Sequence, residues 1–110
     1  MCAGNSYPFK GHKGSVFRGG VSTTAIIHSP LLDERRRGTT FKGNVHITDW
    51  LPTLMHVATN GHWAGSVAGA EVEVDGVDVW DDIQNGDGSR GHKEIVFFVN
   101  ANSSVIQVSP

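Results

Sequence analysis

One segment of this chain has the periodicity of an amphipathic helix, and it bounds what the rest can build. From Asp49 to about Thr59, the residues Trp50, Leu51, Leu54, Met55, Val57 and Ala58 form one apolar stripe. Asp49, Thr53, His56 and Asn60 fall on the opposite face. Asp49 reads as an N-cap, and Pro52 occupies the first turn, where a missing N–H costs little. Asn60-Gly61 supplies the stop. The pattern predicts a helix over 49–59 with Trp50, Leu54 and Val57 facing a core.

The strand candidates are fewer than such a helix needs. Val21 to Ile27 is rich in β-branched residues and reads as a strand, ended by Ser29-Pro30. Glu94 to Val99 is nearly continuous in apolar residues and reads as a strand buried on both faces. Residues 1–20, 31–44 and 61–70 read as loop, in a chain with 14 glycines against the usual share of about 7%. Between 71 and 86 two rules conflict. Alternation around Asp75-Gly76 favours a hairpin, whereas Asp78, Asp81 and Asn85-Gly86 read as the start and stop of a short helix. Two strands separated by a helix favour an α/β layer. So few elements cannot cover both faces of a sheet, and the chain reads as the edge of something larger.

Composition excludes several functions. A net charge of −2 over 110 residues argues against a nucleic-acid surface. The basic run Arg35-Arg36-Arg37 adjoins Asp33 and Glu34 and reads as a solvated loop. The longest apolar run, Ile95 to Val99, falls far short of the roughly 20 residues that span a bilayer. The first residues lack the charged and apolar regions of a signal peptide. Cys2 has no partner for an internal disulfide. Asn102-Ser103-Ser104 fits the N-glycosylation pattern. The histidines at 12, 28, 46, 56, 62 and 92 lack the close spacing of zinc ligands. His12 and His56 read as solvated, and His46 as a backbone partner ahead of the helix. Asp75, Asp78, Asp81 and Asp82 lack the register of a calcium loop. Trp50 and Trp80 read as core anchors.

Four ordered motifs point to a family. They are Tyr7-Pro8-Phe9-Lys10-Gly11-His12-Lys13 with Gly19-Gly20-Val21, then His28-Ser29-Pro30-Leu31-Leu32, then His46-Ile47-Thr48-Asp49-Trp50-Leu51-Pro52-Thr53-Leu54, then Asp75-Gly76-Val77-Asp78-Val79-Trp80. Over about residues 4–99 this order resembles the sulfatases, in particular the arylsulfatase B-like branch. The resemblance implies a fragment from the later part of the catalytic domain, with residues 1–110 forming part of an alkaline-phosphatase-like α/β fold. That partial fold would have a few strands, one main helix and long loops. It also places Asp75-Gly76 in a loop before a short helix, against the hairpin reading.

The resemblance further implies hydrolysis of sulfate esters of glycans or aryl compounds, in the secretory pathway, either lysosomal or extracellular. Lys13 matches the family's late sulfate-binding lysine. Calcium and a formylglycine made from cysteine serve the family mechanism, but their residues lie outside this chain, since Cys2 is not in a Cys-x-Pro-x-Arg signature. The chain alone is therefore expected to be inactive. Where the family carries Glu before Gly-Gly and Arg after Val, this chain has Arg18 and Ser22. The rival readings are a noncatalytic remnant and an unrelated small α/β binding module.

Overall fold

The computed structural model describes residues 5–67, 69–71, 73–99 and 104–108. Cys2 and the glycosylation candidate Asn102 lie outside the described residues. The chain divides into two compact units, Met1–Ser29 with Val96–Gln107, and Pro30–Ile95 with Val108–Pro110. In chain order the elements are α1 (Arg18–Val21), α2 (Trp50–Thr59), β1 (Ser66–Val67), β2 (Ala70–Glu71), α3 (Trp80–Asn85), β3 (Glu94–Val99) and β4 (Ser104–Val108). Single 3-10 turns cover Glu34–Arg36 and Ile47–Asp49. The strands form two separate two-stranded sheets, β1 with β2 and β3 with β4. Helices and a few strands thus mix as the sequence predicts, without a larger sheet among the described residues.

The larger unit is organised around α2. The helix forms where expected and ends at Asn60 and Gly61, both in the left-handed region at φ 52° and 79°. Its phase is shifted from the prediction, with Trp50 and Val57 only half-buried. Leu54 is 59% exposed and Leu51 is also exposed, whereas Pro52 and Thr53 are buried and His56 is half-buried. The reason is hydrogen bonding, because a buried N–H left without an acceptor costs more than an exposed leucine. The backbone N–H of Val79 donates to Thr53 Oγ1 at 3.1 Å, drawing the polar face inward. His56 Nδ1 pairs with Asp78 Oδ2 across the same seam.

Asp49 serves α2 differently from an N-cap. It closes the preceding 3-10 turn, with its carboxyl fully buried at 0% exposure. Oδ2 accepts the backbone N–H of His46 at 2.7 Å. Oδ1 accepts the backbone N–H of Val77 at 2.8 Å and lies 2.8 Å from His92 Nε2. Gly76 makes this approach possible, because a Cβ there would stand 2.1 Å from the Thr48 carbonyl oxygen. The Asp-Gly loop is therefore a docking segment, and β1 and β2 form earlier, within a stretch expected to be loop, around Gly69 at φ 82°.

α3 follows as the family pattern implies. Asp78 Oδ1 accepts the Trp80 N–H at 3.0 Å, and Gly86 ends the helix at φ 73°. Asp82, buried, accepts from the backbone N–H of Arg90 at 2.7 Å and Gly91 at 3.2 Å. Gln84 clasps the loop before it, donating to the Leu31 carbonyl and accepting from the Asp33 N–H, both at 2.8 Å. Among the described residues the buried apolar side chains are Val79, Ile83 and Ile95. Trp50 and Trp80 are half-buried, so neither is the core anchor that the sequence suggests.

Two strand expectations are corrected. Val21 closes α1, and residues 22–29 adopt no regular structure, with Ile26 90% exposed. β propensity reflects packing on a pleated surface, and no ladder partner stands beside this segment among the described residues. β3 does form over Glu94–Val99, but Ile95 is buried while Val96 is 57% exposed, so it is not covered on both faces.

The basic run is solvated in part. Arg35 donates through Nε and Nη2 to Asp33 at 3.1 and 2.8 Å, and Arg37 pairs with Glu34 at 3.5 Å. Arg36 is half-buried, its guanidinium beside Gly86, where a Cβ would lie 2.4 Å from Cζ. Side-chain and then backbone hydrogen bonds from Arg35 hold the Asp33 carboxyl down from the usual 3.8 to about 2. The same contact raises Arg35 above its ordinary value.

Two tests follow from these contacts. Replacing Asp49 with alanine leaves three N–H donors without their acceptor, at about 1–3 kcal/mol for each that stays buried. Urea unfolding of the variant should show a loss of about 3 kcal/mol or more; a loss under about 1 kcal/mol would mean that water replaces the carboxyl. For Asp33, the folded value lies below the unfolded one. Its contribution is therefore present above pH about 3.8 and disappears as pH falls through about 2. Arg35→Ala should return the carboxyl to the ordinary range in an NMR titration while barely changing stability, as exposed pairs contribute little.

Candidate functional site

The loop from Lys10 to Gly20 is built by glycine. The Ser15 N–H donates to the His12 carbonyl at 2.8 Å, closing a four-residue turn with Lys13 and Gly14 at its centre. Gly14 has φ 88° and Lys13 does not have a positive φ, the combination of a type II turn. Only glycine adopts that third position without strain. Lys13 therefore stands at the second position of the turn, exposed.

The turn rests on Gly19 and Gly20. A Cβ on Gly20 would lie 2.3 Å from the Ser15 carbonyl oxygen and 2.6 Å from that of His12. One on Gly19 would lie 2.6 Å from the Gly11 carbonyl oxygen. The Gly19 N–H donates to the Lys10 carbonyl at 2.9 Å, and Ser6 Oγ donates to the Gly19 carbonyl at 3.1 Å. The glycine pair is thus the floor on which the lysine turn sits.

The loop's cations differ in what they touch. Lys10 Nζ lies 4.4 Å above the Phe17 ring and Arg18 Cζ lies 4.3 Å from the centre of the Phe9 ring. Cation–π contacts of this kind hold a charge against an aromatic face. Lys13 has no ion pair or ring contact among the described residues, leaving its ammonium to solvent or to an anion. His12 is exposed as expected, with its Nδ1 donating to the Lys13 carbonyl at 2.9 Å. The strand expected to begin at Val21, after the Lys13 loop, is replaced at that position by the end of α1.

The other histidines are structural partners. His46 Nδ1 accepts the Thr48 hydroxyl at 2.9 Å and the Thr48 N–H at 3.5 Å, close to the backbone role expected of it. His56, expected to be exposed, is half-buried against Asp78. His92 meets Asp49, and its ring stands edge-on to His46 at 6.1 Å between centroids. Sequence reasoning missed both histidine–aspartate pairs. Their members lie 22 and 43 positions apart, and only the spacing of His46 and Asp49 gave a local sign that Asp49 looks backward. Among the described residues no group of three or more His, Cys, Asp or Glu is placed to hold a metal ion. The acidic residues Asp78, Asp81 and Asp82 are instead engaged by His56, Arg90 and backbone N–H groups. No helix among them is long and apolar enough to cross a membrane.

Comparison with known proteins agrees with the motifs. No protein-family model matches the chain, and no solved structure does. Arylsulfatase J of Mus musculus is 39% identical over 83 residues, which make up 76% of this chain and 12% of that protein. The chain is related in sequence to the sulfatases, of which it spans a small part.

Proposed function

We propose that this chain is a segment of a sulfuric ester hydrolase of the arylsulfatase type, of the arylsulfatase B-like branch. It comes from the later part of an alkaline-phosphatase-like catalytic domain. Lys13 contacts the sulfate group. The observation that carries this reading is the type II turn, which exposes Lys13 while Phe17 and Phe9 occupy the neighbouring Lys10 and Arg18. The relationship to an arylsulfatase over three quarters of the chain supports the reaction class. The substrate is a sulfated glycan or aryl compound, encountered in a lysosomal or extracellular setting.

Lysine suits the role. It is a compact, strongly hydrated point charge on a flexible stem, so it reaches one sulfuryl oxygen from a loop. A positive charge fixed where negative charge develops stabilises a transition state most when the site excludes water. Lys13 alone is solvated and supplies little of that effect. The described residues do not fit a calcium site, and Cys2 lacks the sequence context for formylglycine. Both groups are assigned to the parent enzyme outside this chain, and neither enters the role of Lys13.

The exposed faces fit a segment of a larger domain. Ile47, Leu51 and Leu54 lie exposed along one side of α2 and the turn before it, and Ile26 lies exposed in an unpaired β-branched stretch. An isolated domain covers such a set with its own core.

Exchanging residues 5–99 for the matching stretch of mouse arylsulfatase J tests the reading. The folded chimera should hydrolyse a chromogenic aryl sulfate, and Lys13→Ala within it should lower kcat/KM more than about tenfold with melting temperature unchanged. A folded but inactive chimera would make the segment a noncatalytic remnant. An active chimera indifferent to Lys13→Ala would remove Lys13 from the site.

A further inference from the structure

The Lys13 turn is locked by one hydroxyl. Ser15 Oγ accepts the His12 N–H at 3.0 Å, while the Ser15 N–H returns a bond to the His12 carbonyl at 2.8 Å. These two bonds tie the residues flanking Lys13 and Gly14 to each other in both directions. Ser15 is half-buried, and its surroundings are shaped to it. A Cβ on Gly11 would lie 2.3 Å from Ser15 Oγ, and one on Gly20 would lie 2.8 Å from it. Gly11 stands at φ 94°, a conformation that excludes most side chains. Two glycines thus leave a recess that a single hydroxyl fills, and beside it the exposed His12 ring, bonded to the Lys13 carbonyl, is the other side chain that bonds within the turn among the described residues.

We propose that Ser15 is the positioning residue for Lys13, seated on Gly11 and Gly20, and that its hydroxyl sets where the ammonium stands relative to the sulfate. This rests on the assignment of Lys13 to the sulfate. Ser15 acts through the turn and does not touch substrate. Its contribution is geometric, and misplacing a reacting contact by about 1 Å can cost up to about 100-fold in rate. Without the hydroxyl, the His12 N–H loses its acceptor and the turn keeps one backbone bond and the exposed His12 ring contact, so Lys13 samples more orientations.

Ser15→Ala removes the hydroxyl, and Ser15→Thr keeps it. In the full chain, the heteronuclear NOE of the Lys13 and Gly14 amides should fall in Ser15→Ala and return in Ser15→Thr. In the arylsulfatase chimera, Ser15→Ala should lower kcat about tenfold with little change in KM, and Ser15→Thr should recover most of it. A purely structural serine would change the melting temperature without that split or that rescue. Unchanged NOE and kcat in Ser15→Ala, with Lys13→Ala still damaging, would overturn the proposal while sparing the sulfate assignment. A chimera indifferent to Lys13→Ala would overturn the assignment, and with it the catalytic role of Ser15. Should the threonine methyl crowd Gly20, a Gly20→Ala variant gives the second reading. It must displace the Ser15 and His12 carbonyls and so mimic Ser15→Ala, and wild-type behaviour from it would also sink the idea.

Discussion

The larger unit depends on a buried carboxyl. Asp49 gathers the N–H of His46, the N–H of Val77 and the ring of His92 into one point of zero exposure. These donors come from the turn before α2, the Asp-Gly loop and the segment before β3. Few apolar side chains support them. Val79, Ile83 and Ile95 are buried, and each contributes about 1.5–3 kcal/mol from burial. A polar group buried with its partners satisfied costs little, and buried without them costs heavily. The network therefore enforces geometry: any arrangement that moves the Asp-Gly loop away leaves Asp49 buried and short of donors.

That constraint explains where α2 turned out differently from its pattern. The apolar stripe predicts the inward face, because burying apolar surface is the usual reason for a helix to dock. Here Thr53 and His56 face the docking loop, since Val79 needs an acceptor and Asp78 a donor. A periodicity argument counts apolar side chains and is blind to backbone N–H groups arriving from 26 and 28 residues away.

What was legible is local. The extent of α2, its Asn60-Gly61 stop, the α3 stop at Gly86 and the β3 span all rest on cap and propensity rules within a few residues. The exposed Lys13 turn was legible as a glycine-rich loop, because Gly14 has to supply the positive φ. Strand status at 21–27 was not legible, since β-branched residues form a strand only when another strand pairs with them. The burial of Asp49 was not legible either. Its spacing from His46 fits a cap in either direction, and His92 lies too far along the chain to signal its part. Sequence motifs in order pointed to the sulfatase relationship without specifying a single long-range contact.

The two units reach the same solution with different atoms. Around Asp49, Gly76 lets the loop backbone approach the Thr48 carbonyl, and a carboxyl satisfies the N–H groups that arrive. Around Lys13, Gly19 and Gly20 let the turn approach, and the Ser15 hydroxyl satisfies the N–H that remains. In both, glycine supplies proximity and one short polar side chain supplies the bond that a ladder would otherwise provide. The difference lies in solvent. Asp49 is sealed, so its geometry is stabilised by the cost of leaving buried donors unmet. Ser15 is half-buried, so water competes for the His12 N–H and the turn is the softer of the two. Local stability of this kind is drawn from the low end of the range in binding loops. Within the described residues the Ser15 hydroxyl, the His12 ring on the Lys13 carbonyl and the glycine floor are what hold the turn around Lys13.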